Sequence, residues 1–371
     1  MNKSLSLRQL LYTYIFIMIA PVLRSVPNNV CKIAGSAGWL SVILGLIFGI
    51  IGCICIWLFI RCFPACNFYE IIEKITSKPI AKIIISLYLF WAIINVFCKL
   101  PFYSLNYQTT LMTYSTNEFL LSVLMVLVGY ALLKGVKTFF RLSELVLIIF
   151  LIIIGLLVII ASSKFRLINL TPRTSIGNVF VASSQSFSTI GYILMPIFFA
   201  DRLDRHYTKF SSYFKAFVAL SIICITISVI TIGTNGCELT SSLTFPFYTA
   251  VKRTSFLDIL ERLEEFVILP SALSDFVFIC VFCAIIFLCL KWLFNLNNMK
   301  IYGIPILLNL YFIGLMFIKT QFEAESFYGH IFIYFDFLFL YIIPLILLII
   351  AAVRGQLKSV SKNDESMVCN L

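Results

Sequence analysis

A polar, glycine-containing stretch interrupts an apolar segment that runs from about Ile176 to Ala200. It reads SSQSFSTIGY at positions 183–192. In hydrocarbon every opened backbone group must find a partner, so irregular backbone persists there only where it lines a cavity. A discontinuous helix at this point would present bare N–H and C=O groups to a small ligand. The alternative is that the serine and threonine hydroxyls bond to carbonyls of their own helix and only bend it.

A lysine lies inside another apolar segment, as a member of a polar stripe. The residues of the stripe recur at intervals of three and four, which places them on one face of a helix. A cation in a membrane span normally faces a cavity or a partner. Near the end of a span it can instead extend its ammonium group to water. The stripe consists of Tyr88, Trp91, Asn95, Lys99, Tyr103 and Asn106.

Two carboxylates also lie inside apolar segments. Asp275 has Ser271 and Ser274 beside it. Intramembrane carboxylates are functional candidates, so Asp275 is predicted to serve ion or proton coupling, with Lys99, or to lock two helices together. Asp336 stands among aromatic residues, and the sequence assigns it no role.

Other charged residues recur at helical spacing near the predicted ends of spans. Neighbours three or four apart on a helix can form ion pairs. We therefore expect a structural or partner-contacting network rather than chemistry. Its members are Arg141 and Glu144 before the fifth span, and Asp258, Glu261, Arg262 and Glu264 before the eighth.

Membrane-spanning helices are the elements that must position these residues. The chain has 371 residues, of which 61% are hydrophobic and 12% charged, with a mean hydropathy of +1.02. That composition excludes a soluble domain and is typical of a polytopic membrane protein. Division at charged and turn-rich breaks predicts about ten spans, each near the roughly 20 residues that a crossing needs. They are approximately Leu10–Val26, Trp39–Ile60, Ile80–Leu100, Phe119–Leu133, Leu145–Ala161, Ile176–Ala200, Phe214–Thr234, Phe266–Leu293, Tyr302–Ile318 and Ile331–Ala352.

The distribution of lysine and arginine predicts the orientation. With the N-terminus inside, the inner loops hold most of the cations, and the outer side, to which Arg24 is assigned, holds fewer. Both termini are therefore predicted to be cytoplasmic. Residues 68–82 alternate charged and apolar positions at helical period, which predicts a cytoplasmic interfacial helix.

Several function classes are excluded by the sequence. The formal charge of +11 lies in loops, with no basic stripe for nucleic acid. Most of the 12 cysteines lie within apolar spans and lack metal spacing, so we predict neither a metal nor a cofactor. The two histidines, His206 and His330, give no pairing of a base with a nucleophile, so no catalytic residue and no enzyme is predicted.

Two segments are predicted to be broken, the first and the sixth. Pro21, after Ala20, removes a helical hydrogen bond in the middle of the first span. This spacing is that of a five-plus-five inverted repeat with discontinuous helices 1 and 6. We therefore predict a single transmembrane domain over residues 1–371. Its two five-helix repeats cover residues 8–163 and 176–352, and a cytoplasmic tail covers 353–371.

Several landmarks occur in an order that resembles the B subunit of bacterial spore germinant receptors. This is the spore permease family of the amino acid–polyamine–organocation superfamily. The resemblance covers nearly the whole chain, and positions 258–264 are its most specific element. This sequence departs from the family at Ala20-Pro21, where glycine is usual, and at Ile193, where relatives often carry an acid. The landmarks are Ser6-x-Arg8-Gln9, Pro27, Trp39-Leu40-Ser41-Val42, Phe63-Pro64, Gly135, Arg141, Glu144, Gly191-Tyr192, Pro196, Phe245-Pro246 and Asp258-x-x-Glu261-Arg262-Leu263-Glu264.

The resemblance implies an all-α, LeuT-like fold of ten helices in the spore inner membrane. It also implies partners, namely an A-type membrane subunit and a C-type lipoprotein. The expected function is a germinant-sensing subunit that binds a small molecule, expected to be an amino acid, and signals to those partners. An ion-coupled amino acid symporter is one alternative, and a structural subunit with a vestigial cavity is another.

The ligand is expected at the unwound midplane of helices 1 and 6. Backbone N–H groups of the first helix would hold a carboxylate, and side chains of the third and sixth spans would sort the rest of the molecule. The predicted ligand-binding residues are Ala20, Pro21, Val22, Leu23, Asn95, Phe187, Thr189, Gly191 and Tyr192.

Overall fold

The computed structural model describes residues 5–64, 66–110, 114–203, 209–253, 265–296, 299–317 and 333–357. Apart from one isolated bridge between Leu5 and Leu203, these residues form helices joined by turns. Three stretches are 3₁₀-helical, Gly35–Ala37, Leu167–Leu170 and Tyr192–Arg202. The α-helices are α1 Leu7–Ala34, α2 Gly38–Cys62, α3 Phe68–Ile75, α4 Lys78–Thr110, α5 Asn117–Lys134, α6 Lys137–Ser162, α7 Ile176–Gly191, α8 Phe210–Asn235, α9 Cys237–Ser242, α10 Pro246–Lys252, α11 Glu265–Phe294 and α12 Met299–Phe317. The last helix, α13, covers Ile333–Val353 and is π-helical over Leu338–Ile342.

Seven stretches of the described residues are long and apolar enough to cross a membrane. The first of them, Leu7–Cys62, contains both α1 and α2. A shorter apolar helix covers Gly303–Met316. The predicted all-helical membrane architecture is confirmed, whereas the count of ten spans and the inverted repeat stay predictions.

Helix α1 lies in the middle of the bundle and packs against α2, α6, α7, α8 and α11. It begins at a capping box, in which the Ser6 hydroxyl accepts from the Gln9 N–H (3.2 Å). The Gln9 side chain in turn accepts from the Ser6 N–H (3.4 Å), so two otherwise orphaned donors are satisfied. The N-terminus of this buried helix is therefore fixed by its own sequence.

The predicted break in the first helix is wrong, because α1 remains helical across Ala20–Leu23 with Pro21 and Pro27 inside it. A hydroxyl of α11 supports the backbone one turn before the proline. Ser274 donates to the Phe16 carbonyl (2.8 Å) and accepts from the Ala20 N–H (3.3 Å). A hydroxyl of a neighbouring helix thus bonds to the backbone of α1 in the turn that precedes the proline, and α1 continues through this point.

The sixth segment changes its winding where the glycine predicted it, but it does not unwind. Helix α7 ends at Gly191 and continues directly into the 3₁₀ helix Tyr192–Arg202. Before that junction the hydroxyls bond within their own helix, as the alternative interpretation predicted. Ser183 donates to the Phe180 carbonyl (2.6 Å) and Thr189 to the Gln185 carbonyl (3.2 Å).

Glycines of α2 allow the helix to lie close to the sixth segment, because they have no side chain to hold the two backbones apart. A Cβ on Gly45 would lie 2.8 Å from Ser186 Cβ and 2.9 Å from the Ser183 carbonyl oxygen. A Cβ on Gly52 would lie 3.0 Å from the Ile193 side chain. Helix α2 therefore fixes the sixth segment on both sides of its change in winding.

We expect Gly45→Ala to destabilise the protein, because the added methyl group has no room between α2 and α7. Overpacking of this kind costs about 1–3 kcal/mol. The measurement is the midpoint of thermal unfolding of the purified protein in detergent. Gly155→Ala is the matched control, since nothing lies within 4 Å of its added Cβ. Equal midpoints for the two variants would contradict the packing argument.

Candidate functional site

Four charged side chains lie buried among the described helices. They come from four elements, Arg24 from α1, Lys99 from α4, Asp275 from α11 and Asp336 from α13, and none is more than 5% exposed. A buried charge without a partner costs far more than folding can offset. Two cations and two carboxylates balance, and they divide into two clusters.

The first is the Arg24 cluster, which consists of Arg24, Asp275 and Tyr107. The Arg24 Nη2 atom lies 2.5 Å from Asp275 Oδ1 and 2.7 Å from Oδ2. The Tyr107 hydroxyl donates to Asp275 Oδ2 (2.7 Å), and the guanidinium lies over the Tyr103 ring (5.3 Å). The cluster joins α1 to α11 and α4, so Asp275 does act as a link between helices.

The second is the Tyr192 cluster, which consists of Tyr192, Lys99, Asn95, Asp336 and Trp91. The Tyr192 hydroxyl lies 3.2 Å from Lys99 Nζ, 2.7 Å from Asp336 Oδ2 and 3.0 Å from Asn95 Oδ1. The Trp91 indole N–H donates to Asp336 Oδ1 (2.9 Å). A hydroxyl can accept from an ammonium group and donate to a carboxylate, so one oxygen atom links α4, the sixth segment and α13.

The polar stripe of α4 positions most of these groups. Trp91, Asn95, Lys99 and Tyr103 are all buried, whereas Phe90 on the other face is 54% exposed. The spacing of three and four residues therefore predicted the inward face correctly. Lys99 does not extend to water, since it is 1% exposed and its ammonium lies 3.6 Å from the centre of the Phe278 ring.

Two aromatic rings lie between the clusters. Phe278 contacts the Tyr192 ring at 5.7 Å and the Tyr103 ring at 6.4 Å, measured between centroids. Tyr103 also lies beneath the Arg24 guanidinium. The two polar clusters are therefore neighbours that are separated by two aromatic rings, each of which lies against a cation of one cluster.

The structure brings only some of the predicted ligand-binding residues together. Asn95 and Tyr192 meet in the Tyr192 cluster, whereas Phe187 and Gly191 form a separate contact with Tyr341. The Phe187 and Tyr341 rings stack at 3.9 Å, and the Tyr341 hydroxyl donates to the Phe187 carbonyl (3.0 Å). A Cβ on Gly191 would lie 2.5 Å from the Tyr341 ring, so this glycine serves packing in the structure.

The backbone of Ala20–Leu23 does not offer open donors for a carboxylate, contrary to the expectation. The Ala20 N–H is bonded to Ser274, and Pro21 has no N–H. Val22 and Leu23 lie within the continuous helix. The group nearest to this backbone that suits a carboxylate is the next side chain, Arg24.

Sequence reasoning missed Arg24 and Asp336. Arg24 was assigned to the outer side by the count of cations, although it precedes Pro27 within an apolar run. The signal that could have found it was Asp275, because a carboxylate in a span requires a cation from some other span. For Asp336 the signal was the polar face of α4, because Trp91 of that face donates a hydrogen bond to the Asp336 carboxylate.

The network predicted around Glu144 has a different partner. Glu144 forms an ion pair with Arg8 of α1, and Arg141 is exposed. The cross-helix pair forms because the N-terminus of α1 packs beside α6. The predicted residues Asp258, Glu261, Arg262 and Glu264 lie outside the described residues.

A small cavity adjoins the Arg24 cluster. Its volume of about 20 Å³ is close to what one water molecule needs. It lies between α1, α4, α10 and α11. Its lining residues are Leu23, Arg24, Tyr107, Phe245, Tyr248, Val267, Ile268 and Ser271.

Comparison with known proteins defines the class. A family model described as spore germination protein, the spore permease family, matches residues 4–326. The chain therefore belongs to the spore permease family of spore germination proteins, and it is a multi-pass membrane protein. No curated protein matches the chain.

We expect a double-mutant cycle to show that Arg24 and Asp275 depend on each other. Arg24→Met or Asp275→Leu alone should destabilise the protein by about 3–5 kcal/mol, since each leaves a buried charge without its partner. The double variant should recover most of that loss, because an apolar pair of similar volume is often neutral. The measurement is the midpoint of thermal unfolding together with the folded yield.

The Arg8–Glu144 pair provides the matched control for this cycle. Its arginine side chain is 70% exposed, so Arg8→Met should cost no more than about 1 kcal/mol. A double variant at Arg24 and Asp275 that unfolds as readily as either single variant would contradict the mutual dependence.

Proposed function

We propose that this protein is the membrane-embedded sensing subunit of a spore germinant receptor. It recognises a small molecule of the amino acid class in the polar interior between the first and sixth segments and α4. It works with an A-type membrane subunit and a C-type lipoprotein in the spore inner membrane, with both termini in the cytoplasm. Membership of the spore germination family supports the process in which it acts.

The observation that carries the proposal is the Tyr192 cluster. Tyr192 is the first residue of the 3₁₀ helix, at the junction where the sixth segment changes its winding. Its hydroxyl holds contacts to Lys99 and Asp336 on two other helices. A ligand that binds one arrangement of these three elements better than another shifts their equilibrium, and the contacts of the Tyr192 hydroxyl respond to that shift.

A transport function is the second candidate, and the same cluster is the observation that favours it. Lys99, Tyr192 and Asp336 form a continuous chain of hydrogen bonds between a cation and a carboxylate. Intramembrane chains of this kind are used for proton coupling. The sensing role is preferred because the family is described as spore germination proteins.

Removal of the Tyr192 hydroxyl should impair the germination response. We expect Tyr192→Phe to raise the germinant concentration for half-maximal response about ten-fold, since a hydrogen bond to a charged group contributes roughly 1.5–3 kcal/mol. The measurement is the germination rate of spores that carry the variant, tested against single amino acids. Protein abundance in the spore membrane is measured in parallel.

Tyr213→Phe is the matched control for this substitution. Tyr213 of α8 is also fully buried, and its hydroxyl has no hydrogen-bond partner among the described residues. Its loss should leave both abundance and response unchanged. A normal germination response from the Tyr192→Phe variant would contradict the sensing role and would favour a scaffolding role for the protein.

Uptake experiments should separate the sensor from the symporter. In vesicles that contain this protein alone, we expect no accumulation of labelled amino acid above empty vesicles, with or without a proton or sodium gradient. The physical reason is that a sensor needs only a shift between states, not alternating access. Accumulation driven by an ion gradient, and abolished by Tyr192→Phe, would establish transport instead.

A further inference from the structure

The Arg24 cluster has the properties of a binding site for a charged head group. Arg24 and Asp275 are 5% and 0% exposed, yet Arg24 and Tyr107, which both bond to Asp275, line a cavity. The walls of that cavity on α10 and α11 include Tyr248, Val267 and Ser271. Apolar residues of similar size would stabilise this junction as well, so the stability of the junction does not by itself account for an ion pair beside a cavity.

We propose that Arg24 and Asp275 form the head-group subsite for a zwitterionic α-amino acid. The carboxylate of the ligand takes the place of Asp275 on the Arg24 guanidinium, and its ammonium group binds the released Asp275 carboxylate. The inference rests on the proposed function and names the residues that would select the ligand class.

Charge balance decides which ligand can part this pair. An anion that displaced Asp275 would leave a buried carboxylate without a partner, and a cation would do the same to Arg24. Each outcome costs several kcal/mol. A zwitterion leaves every buried charge opposite a partner of the other sign, so the net charge of the site does not change. The subsite therefore discriminates against simple acids and simple amines.

The donors present suit this exchange. A guanidinium offers a planar fork of donors that matches a carboxylate. The Tyr107 hydroxyl, now 2.7 Å from Asp275 Oδ2, can follow the carboxylate or turn to the ligand. The cavity of about 20 Å³ is too small for an amino acid as it stands, so α10 or α11 must move outward from α1 during binding.

Separation of Arg24 from Asp275 would also affect the contact between α1 and α11. Arg24 Nε donates to the Ala20 carbonyl (3.4 Å), and Ser274, next to Asp275, bridges Phe16 and Ala20 across one turn of α1. Arg24 thus belongs both to the subsite and to the supported turn of α1, and the other support of that turn, Ser274, is the chain neighbour of Asp275. Occupation of the subsite would alter the support of α1, which packs against the 3₁₀ part of the sixth segment.

The test uses the purified full chain in lipid nanodiscs and its thermal unfolding midpoint. Each proteinogenic L-amino acid is added in turn, and any that raises the midpoint is compared with its analogues lacking the α-amino or the α-carboxyl group. We expect at least one amino acid to stabilise the protein and both of its analogues to fail. Stabilisation by either analogue to the same extent would overturn the inference.

Three variants test whether the ligand-induced rise in the unfolding midpoint depends on Arg24 and Asp275. The double variant Arg24→Met with Asp275→Leu should keep its midpoint and lose the ligand-induced rise. Arg24→Lys keeps the charge in case the double variant does not fold, and it should weaken half-saturation at least about ten-fold, since the fork is lost. Arg8→Met with Glu144→Leu removes an ion pair elsewhere on α1 and should keep the full rise. A full rise in both Arg24 variants would overturn the inference.

Germination of spores that lack the gene separates this inference from the proposed function. If those spores lose only the response to a germinant that is not an amino acid, the sensing role stands and the zwitterion subsite is wrong. If they respond normally to every germinant, the sensing role itself is wrong. Loss of an amino acid response in both the deletion strain and the Arg24→Lys strain supports the two together.

Discussion

Charge neutrality inside a nonpolar interior is the constraint on which the rest of this structure depends. Arg24, Lys99, Asp275 and Asp336 come from four different helices, and none could be buried by itself. Their pairing therefore fixes how α1, α4, α11 and α13 approach one another. A bundle of apolar helices packs in many ways at similar free energy, because lipid and side chains are equally nonpolar. Buried polar contacts make one of those arrangements specific.

The two clusters differ in what they can do. The Arg24 cluster is a direct contact between opposite charges and adjoins a cavity, so a molecule with both charges can replace each half of it. The Tyr192 cluster places a neutral hydroxyl between a cation and a carboxylate. Such a hydroxyl responds to the position of either partner. Binding at the first cluster and response at the second are consistent with a sensor whose ligand acts through the packing of helices.

Helix α1 illustrates why a local signal can mislead. Pro21 removes a donor, and the sequence alone suggests that the helix opens there to receive a ligand. The bundle instead supplies Ser274, some 250 residues away in the chain, which satisfies the Phe16 carbonyl and the Ala20 N–H. The sixth segment is the converse case, since its change of winding at Gly191 follows from local composition and close contact with Tyr341. Whether a helix opens depends on which neighbour reaches its backbone.

By itself, the sequence determined the membrane class, the approximate limits of most apolar helices and the inward face of α4. Each of these follows from composition or from spacing along one helix. Only the tertiary structure decided that Arg24 pairs with Asp275, that Asp336 meets Tyr192 and that Glu144 pairs with Arg8. The physical reason is that a charged side chain in one helix carries no local record of its partner. The partner is set by the rotation and depth of two helices, and these come from the packing of the whole bundle.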